Sequence, residues 1–313
     1  MNRRRFLQVS SAFLGSTLFG YPGSAPGEAD SFLDDLARRG FRFFEEQSNP
    51  RTGLVRGACR AEGPPLTAAR QQNGSVAVTG FGLAAWCLAA DRGWVDRRRA
   101  RDHVARTLAF FDEEVPNVRG WHYHWLNLGT GRRDGPIGSG PGVGGSEISS
   151  VDEAFFIAGA ITAREYFRGD AEIARRVQSL YERIEFPWML EPSRLVLRHG
   201  WMPERGFFPE AWDRYSEASL LYLLAIASPT HPIPSQAWYA WKRNVTTYGP
   251  YRFVGDQPLF TYQYSHAFVD FRGRRDQDGR GVDWFRNSQT ATRAHRQFCL
   301  DLRPEFPDYA RNL

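Results

Sequence analysis

The sequence predicts a mostly helical protein, an α/α toroid in which inner helices are sheathed by an outer layer of helices. Three observations predict it. Long segments carry apolar residues at helical rather than alternating spacing. Segments that are apolar nearly all round alternate with segments that are apolar on one side only. Only short extended pieces, at 120–128 and 194–201, lie between helices, and they read as hairpins over one mouth of the ring. A plain helical bundle is the alternative architecture.

The first 25 residues stand apart from that pattern. Arg3, Arg4 and Arg5 precede Phe6 and Leu7, an apolar run from Val9 to Phe19, and the small residues Gly23, Ser24 and Ala25. A charged start, a short apolar centre and a small-residue cleavage region make a signal peptide. The run is shorter than the roughly 20 apolar residues that span a bilayer, so no stable membrane anchor is expected. The Arg-Arg-x-Phe-Leu order resembles a twin-arginine signal, an address for the exporter of folded proteins. The expected location is the periplasm or the medium, with the twin-arginine machinery as a partner. Replacing Arg3 and Arg4 with Lys should leave the precursor in the cytoplasm on fractionation. Unchanged export of that variant through the general secretion route would refute the twin-arginine reading.

Residues 26–313 then make one domain. Residues 29–47 place Phe32, Leu33, Leu36, Phe41 and Phe44 at helical spacing. Residues 75–92 are apolar nearly all round, as in a buried helix. Residues 95–114 set Val104, Leu108, Phe110 and Phe111 against an Arg-rich side. Residues 147–168 are again strongly apolar, and an amphipathic segment, 170–184, follows the Gly169-Asp170 break. Tyr215 to Ala227 form another buried helix ended by Pro229, and helices over 235–244, 262–271 and 282–301 complete the set. Gly138, Gly140, Gly142, Gly144 and Gly145 make a loop whose spacing does not open a helix as a dinucleotide site does.

Charge and cysteine usage narrow the function classes. The net charge is +5, and residues 1–25 hold three Arg and no acid, so the rest carries 5 − 3 = +2. That is no footprint for nucleic acid. A polysaccharide lyase on a similar toroid prefers acidic substrates, and near-neutral charge gives it little support. Cys59, Cys87 and Cys299 are odd in number and widely spaced, with no CxxC pair, which argues against a disulfide framework or a zinc site. Cys87 reads as a small core residue.

Aromatic residues make up 14% of the chain, and core filling accounts for most of them. Several sit instead on Gly- and Pro-rich loops beside polar groups: Trp121, Tyr123, Trp125, Trp201, Trp212, Tyr251 and Phe260. A sugar cleft needs such loops, because pyranose rings offer apolar C–H faces to stack and hydroxyls to hydrogen-bond. Glycoside hydrolysis adds two carboxyl groups, one protonated and one ionised. Asp152 falls in the first turn of an apolar helix, where it serves either as a helix-start acid or as a cleft carboxylate. Glu217 follows Trp212 and Tyr215 and opens an apolar helix, with Ser216 as a cap. A Glu placed there is partly desolvated, which raises its pKa and suits a general acid. Gln263, Tyr264, His266 and Asp270 form a third cluster. His266 and Asp270 are four apart, but no second His follows at ligand spacing, so no metal is expected. A hydrogen-bonded core histidine is the other reading of His266.

The segments Ser150-Val151-Asp152-Glu153-Ala154, Trp212-Asp213-Arg214-Tyr215-Ser216-Glu217, Ser228-Pro229-Thr230-His231-Pro232 and Gln263-Tyr264-Ser265-His266 resemble signatures of one bacterial family, the secreted glucoamylase-like proteins. Asp283-Trp284-Phe285-Arg286-Asn287-Ser288 and Ala291-Thr292-Arg293-Ala294 extend the resemblance across most of 30–313. Characterised members are β-1,2-glucanases, related to the glycosidase module of cyclic β-1,2-glucan synthase. The resemblance implies an (α/α)6 barrel and inverting hydrolysis of a β-glucan without cofactor or metal. It implies Glu217 as general acid and Asp152 as a second cleft acid, with Trp121, Tyr123, His124, Trp212, Tyr215, Gln263, Tyr264, His266 and Asp270 as substrate contacts. Glu153 departs from the pattern, in which a small or hydroxylated residue follows the Asp. The family pattern also runs past Leu313, so the expectation is a domain truncated at its C-terminus. The rival function is therefore a catalytically incomplete glycan-binding protein.

Overall fold

The computed structural model describes residues 28–60, 63–64, 66–67, 71–134 and 145–307. The signal segment 1–25 and Gly138, Gly140, Gly142 and Gly144 lie outside the described residues. Seven helices longer than two turns form where the apolar spacing predicts them: α1 (Glu28–Gln47), α2 (Val76–Asp91), α3 (Arg97–Glu113), α4 (Ser150–Tyr166), α5 (Ala171–Glu182), α6 (Ser219–Ala227) and α7 (Trp284–Asp301). Their starts are built by side chains. Ser75 caps α2, Asp96 caps α3, Asp170 caps α5 and Asp283 caps α7, each accepting from free backbone N–H groups of the first turn.

The two kinds of helix sort into layers. Helix α4 lies between α2 and α6, and α5 backs it; α3 packs on both α2 and α5, and α1 packs on α2. Thus α2, α4 and α6, apolar on nearly every face, form the inner layer of a toroid-like fold, and among the described residues the helices do not close into a barrel. Helices α2 and α4 touch backbone to backbone. A Cβ on Gly159 would sit 1.9 Å from the Gly80 carbonyl oxygen, and one on Gly80 would sit 2.3 Å from that of Phe155. No side chain fits there, which explains two glycines inside buried helices where alanine is intrinsically better.

Short antiparallel pairs collect at one end of the inner layer. Asn73–Ser75, leading into α2, pairs with Trp125–Asn127, and Ile148–Ser149, leading into α4, pairs with Gly200–Met202. The hairpins expected near 120–128 and 194–201 therefore lie at the N-terminal mouth of the inner helices.

Five stretches differ from the sequence reading. Tyr215–Glu217 is turn, and α6 begins at Ser219, because the Tyr215 N–H is taken by the Lys242 carbonyl and the Ala218 N–H by Ser216 Oγ. That Lys242 pairing also limits the helix expected over 235–244 to the single turn Ala237–Ala240. A hairpin, Val245–Tyr248 with Tyr251–Val254, follows it and was not expected. The stretch 262–271 is two 3₁₀ turns, Leu259–Tyr262 and Ser265–Ala267, not one helix. Ser265 Oγ there donates to the Glu217 carbonyl and accepts from Leu220 N–H, fixing the segment to the start of α6. Finally, Phe41 of α1 is buried, whereas Phe32, Leu33 and Leu36 stay 64%, 58% and 55% exposed among the described residues. Cys87 is buried in the core, as expected.

Candidate active site

A cleft of about 500 Å³ opens where the inner helices begin. Helix α2 contributes Val78 and Phe81, α4 contributes Asp152 and Phe155, and the turn before α6 contributes Glu217. Phe81, Phe155 and Tyr264 form an apolar wall, with ring centroids 5.1–5.6 Å apart. Phe260 packs on Tyr264 at 5.1 Å and extends that wall. Opposite these rings stand polar groups carried by the hairpins: His124, Glu147 and His199. An apolar wall facing a few fixed polar groups is the composition of a saccharide site.

Each polar group is held by main-chain bonds. The His124 carbonyl accepts from Val76 N–H at the start of α2 (3.1 Å), and its N–H donates to the Glu147 carbonyl (2.8 Å). The imidazole then bridges two carboxylates, Glu147 Oε1 at 2.7 Å from Nδ1 and Asp152 Oδ1 at 3.4 Å from Nε2. Trp125 stacks on the imidazole, with centroids 4.3 Å apart. Burial disfavours the His124 cation, but the Glu147 hydrogen bond and the charges of Asp152 and Glu147 outweigh it and raise its pKa. Burial likewise raises Asp152, against the pull of His124 and a hydrogen bond from Ser149 Oγ. Ser149 at the start of α4 therefore serves Asp152 and leaves the helix N–H groups uncapped.

Glu217 has a different setting. Burial raises its pKa, its own backbone N–H pulls the other way, and the charge on Asp152 adds to the rise. Burial and the anionic neighbour prevail, so it holds its proton to higher pH than an exposed Glu. Beside it, the Trp212 indole N–H donates to Ser150 Oγ (3.0 Å) and the ring lies against His199, with centroids 3.9 Å apart. Tyr222 of α6 locks this corner: its hydroxyl donates to the Trp212 carbonyl and accepts from Leu197 N–H.

The structure thus brings Asp152, Glu217, His124, Trp212 and Tyr264 into one cleft. The other six residues expected as substrate contacts do not line it. Trp121 is fully buried against Phe186, with its indole N–H on the Glu185 carbonyl. Tyr123 lies under the Arg133 guanidinium, 4.8 Å from the ring centroid. Tyr215 stacks flat on Trp284 in the core, at 4.9 Å. Gln263 is exposed, and Asp270 is taken up by Arg272 at 2.8 and 2.9 Å. His266 bonds Ser288 Oγ at 2.8 Å, and burial lowers its pKa to about 4, which favours the hydrogen-bonded histidine reading. Its helical spacing from Asp270 lapses with the helix itself.

Sequence reasoning placed Trp125 on a candidate cleft loop but missed Glu147, His199, Phe81 and Phe155 as cleft residues. A signal existed for the last two, since Phe155 follows Asp152 by three residues and Phe81 follows Val78 by three, one helical face in each case. Glu153, the departure from the family pattern, turns away from the cleft. It is 1% exposed and accepts from His122 N–H at 2.9 Å and from His122 Nδ1 at 3.0 Å. His122 Nε2 in turn faces an Arg183 N–H at 3.0 Å, so the chain Arg183–His122–Glu153 ties the hairpin to α4.

Comparison with known proteins agrees with this fold. Residues 209–313 match the model of a family described as "Putative glucoamylase". The chain is 22% identical over 321 residues to an exo-β-1,2-glucooligosaccharide sophorohydrolase of Parabacteroides distasonis, covering 92% of this chain and 42% of that one. It therefore spans less than half the length of that curated relative. Among solved structures it resembles an endo-β-1,2-glucanase of Chitinophaga pinensis in complex with sophorotriose and glucose, with TM-score 0.78 and 24% identity over 90% of this chain and 69% of that one. It also resembles a β-1,2-glucanase of Parabacteroides distasonis, with TM-score 0.75 and 21% identity over 89% of this chain and 42% of that one. The fold shared along nine-tenths of the chain and the family match over its last third agree with the resemblance read from the sequence: the chain has the α/α toroid fold of these structures, and its residues 209–313 are similar to the glucoamylase-like family.

Proposed function

We propose that this chain is a glycoside hydrolase that cleaves a β-1,2-linked glucan in the cleft at the mouth of α2, α4 and α6. The observation that carries the reading is the pairing of two carboxyl groups in unlike surroundings. Glu217 is desolvated beside an anion, and Asp152 is ion-paired with a histidine and hydrogen-bonded by a serine. Glu217 gives its proton to the glycosidic oxygen as the C–O bond breaks, and Asp152 orients a sugar hydroxyl or the attacking water. The Phe81–Phe155–Tyr264 wall and Trp212 offer faces on which glucose rings stack. The glucan-cleaving activities named for the relatives support the linkage, and inversion at the anomeric carbon follows from the family resemblance. Arg3 and Arg4 support action in the periplasm or outside the cell.

A panel of β-1,2-, β-1,3-, β-1,4- and α-1,4-glucans tests this. Reducing sugar should appear from the β-1,2-glucan alone, with NMR showing the α-anomer first. Release from a different linkage overturns the substrate assignment. Binding of the β-1,2-glucan without cleavage establishes the rival, a glycan-binding protein.

A further inference from the structure

We propose that Glu147 is a positioning residue, acting through His124 to fix the orientation and charge of Asp152. This deepens the reading above and rests on it for the role of Asp152.

The imidazole of His124 has acceptors at both nitrogens, Glu147 at 2.7 Å and Asp152 at 3.4 Å. Nδ1 is hydrogen-bonded to Glu147 and Nε2 stands in ion-pair contact with Asp152, a setting that favours the doubly protonated cation, in which both nitrogens carry a proton. The ring has little freedom to choose another arrangement. Its main chain is bonded to Val76 and Glu147, and one face is covered by Trp125. Trp125 itself is wedged from behind, since a Cβ on Gly57 would lie 2.2 Å from its ring. The indole face also favours a cation stacked on it.

Other charges face this group. Glu153 on α4 and Glu217 before α6 both repel charge on Asp152, and Arg133 draws on Glu147. Without the His124 cation, three acids beside Asp152 would push its proton on. With the cation in place that push is opposed, and Asp152 gives up its proton more readily than it would without it. Glu147 is what keeps the cation there, because it makes the shorter of the two contacts and touches no other cleft acid.

The test needs no saccharide, so it is separable from the proposed activity. In the intact protein, the His124 Cε1–H signal, assigned by its loss in His124→Gln, is followed by NMR against pH. Wild-type His124 should titrate above the usual value of 6.5. Glu147→Gln keeps the shape and one acceptor, and it should lower the proton affinity of His124 about tenfold, one unit of pKa. Glucan cleavage by Glu147→Gln should then lose its acid-side plateau, with kcat falling more than KM rises. A wild-type His124 that titrates at or below 6.5 overturns the proposal without any variant. So does an unchanged titration in a folded Glu147→Gln protein. Failure of cleavage in the wild type, with the expected titration intact, overturns the hydrolase reading and leaves the positioning contact standing.

Discussion

Glu217→Gln is expected to slow β-1,2-glucan cleavage on the order of 10²-fold or more, with saccharide affinity and melting temperature nearly unchanged. The amide keeps the size of the side chain but has no proton to give the leaving oxygen. Two features make the loss large. Burial and the neighbouring Asp152 charge both hold the proton on Glu217, so the wild-type group keeps its acid form to higher pH than an exposed Glu. Among the described cleft residues, Asp152 and Glu147 are both paired with His124, unlike Glu217. The fold should tolerate the change. Glu217 lies in a turn before α6, and that turn is held by its carbonyl on Ser265 and by Ser216, not by the carboxyl group. A substrate with a good leaving group, such as a dinitrophenyl glycoside, needs little protonation and should recover much of the rate. If activity survives and the melt falls instead, Glu217 is a structural turn residue and the acid lies elsewhere.

The sequence was most legible where burial alone decides structure. The seven long helices follow from apolar spacing, and the contrast between one-sided and all-round apolar segments separates outer from inner helices before any contact is known. Asp152 and Glu217 were legible because a carboxyl group at the start of an apolar helix has few places to be except the mouth. Legibility failed where tertiary pairing overrides local preference. Lys242 pairs with the chain at Asp213 and Tyr215, and this one contact ends two expected helical stretches. It also failed for loop aromatics, because a loop Trp or Tyr gains as much from a core slot as from a cleft. Trp121 beneath Phe186 and Tyr215 on Trp284 take the core; Trp212, pinned by Ser150, takes the cleft. Nothing in the spacing of these residues distinguishes the two fates. Glu147 escaped notice for a related reason: its partner His124 is 23 residues away, and only the pairing of the hairpins brings them together.

Gly159→Ala is expected to destabilise the protein by about 3 kcal/mol, a size set by overpacking at a rigid contact. Ordinarily the change would help, since alanine inside a helix is favoured over glycine by up to about 1 kcal/mol. Here the added methyl would sit 1.9 Å from the Gly80 carbonyl oxygen and 2.5 Å from its carbon. Both atoms are backbone, so no rotamer change relieves the clash, and α2 and α4 must move apart along their whole crossing. That crossing is the centre of the inner layer and fixes Phe81 against Phe155, so the cleft wall should loosen with it. At this chain length a loss of 3 kcal/mol lowers the melting temperature by roughly 5 °C. Gly40→Ala supplies the control. Gly40 lies inside α1 with nothing within 4 Å of its would-be Cβ, so the same substitution there should raise stability by roughly 0.5–1 kcal/mol. Opposite signs for one chemical change isolate the backbone contact as the cause. A Gly159→Ala protein that melts at or above the parent temperature would mean that α2 and α4 do not cross in backbone contact.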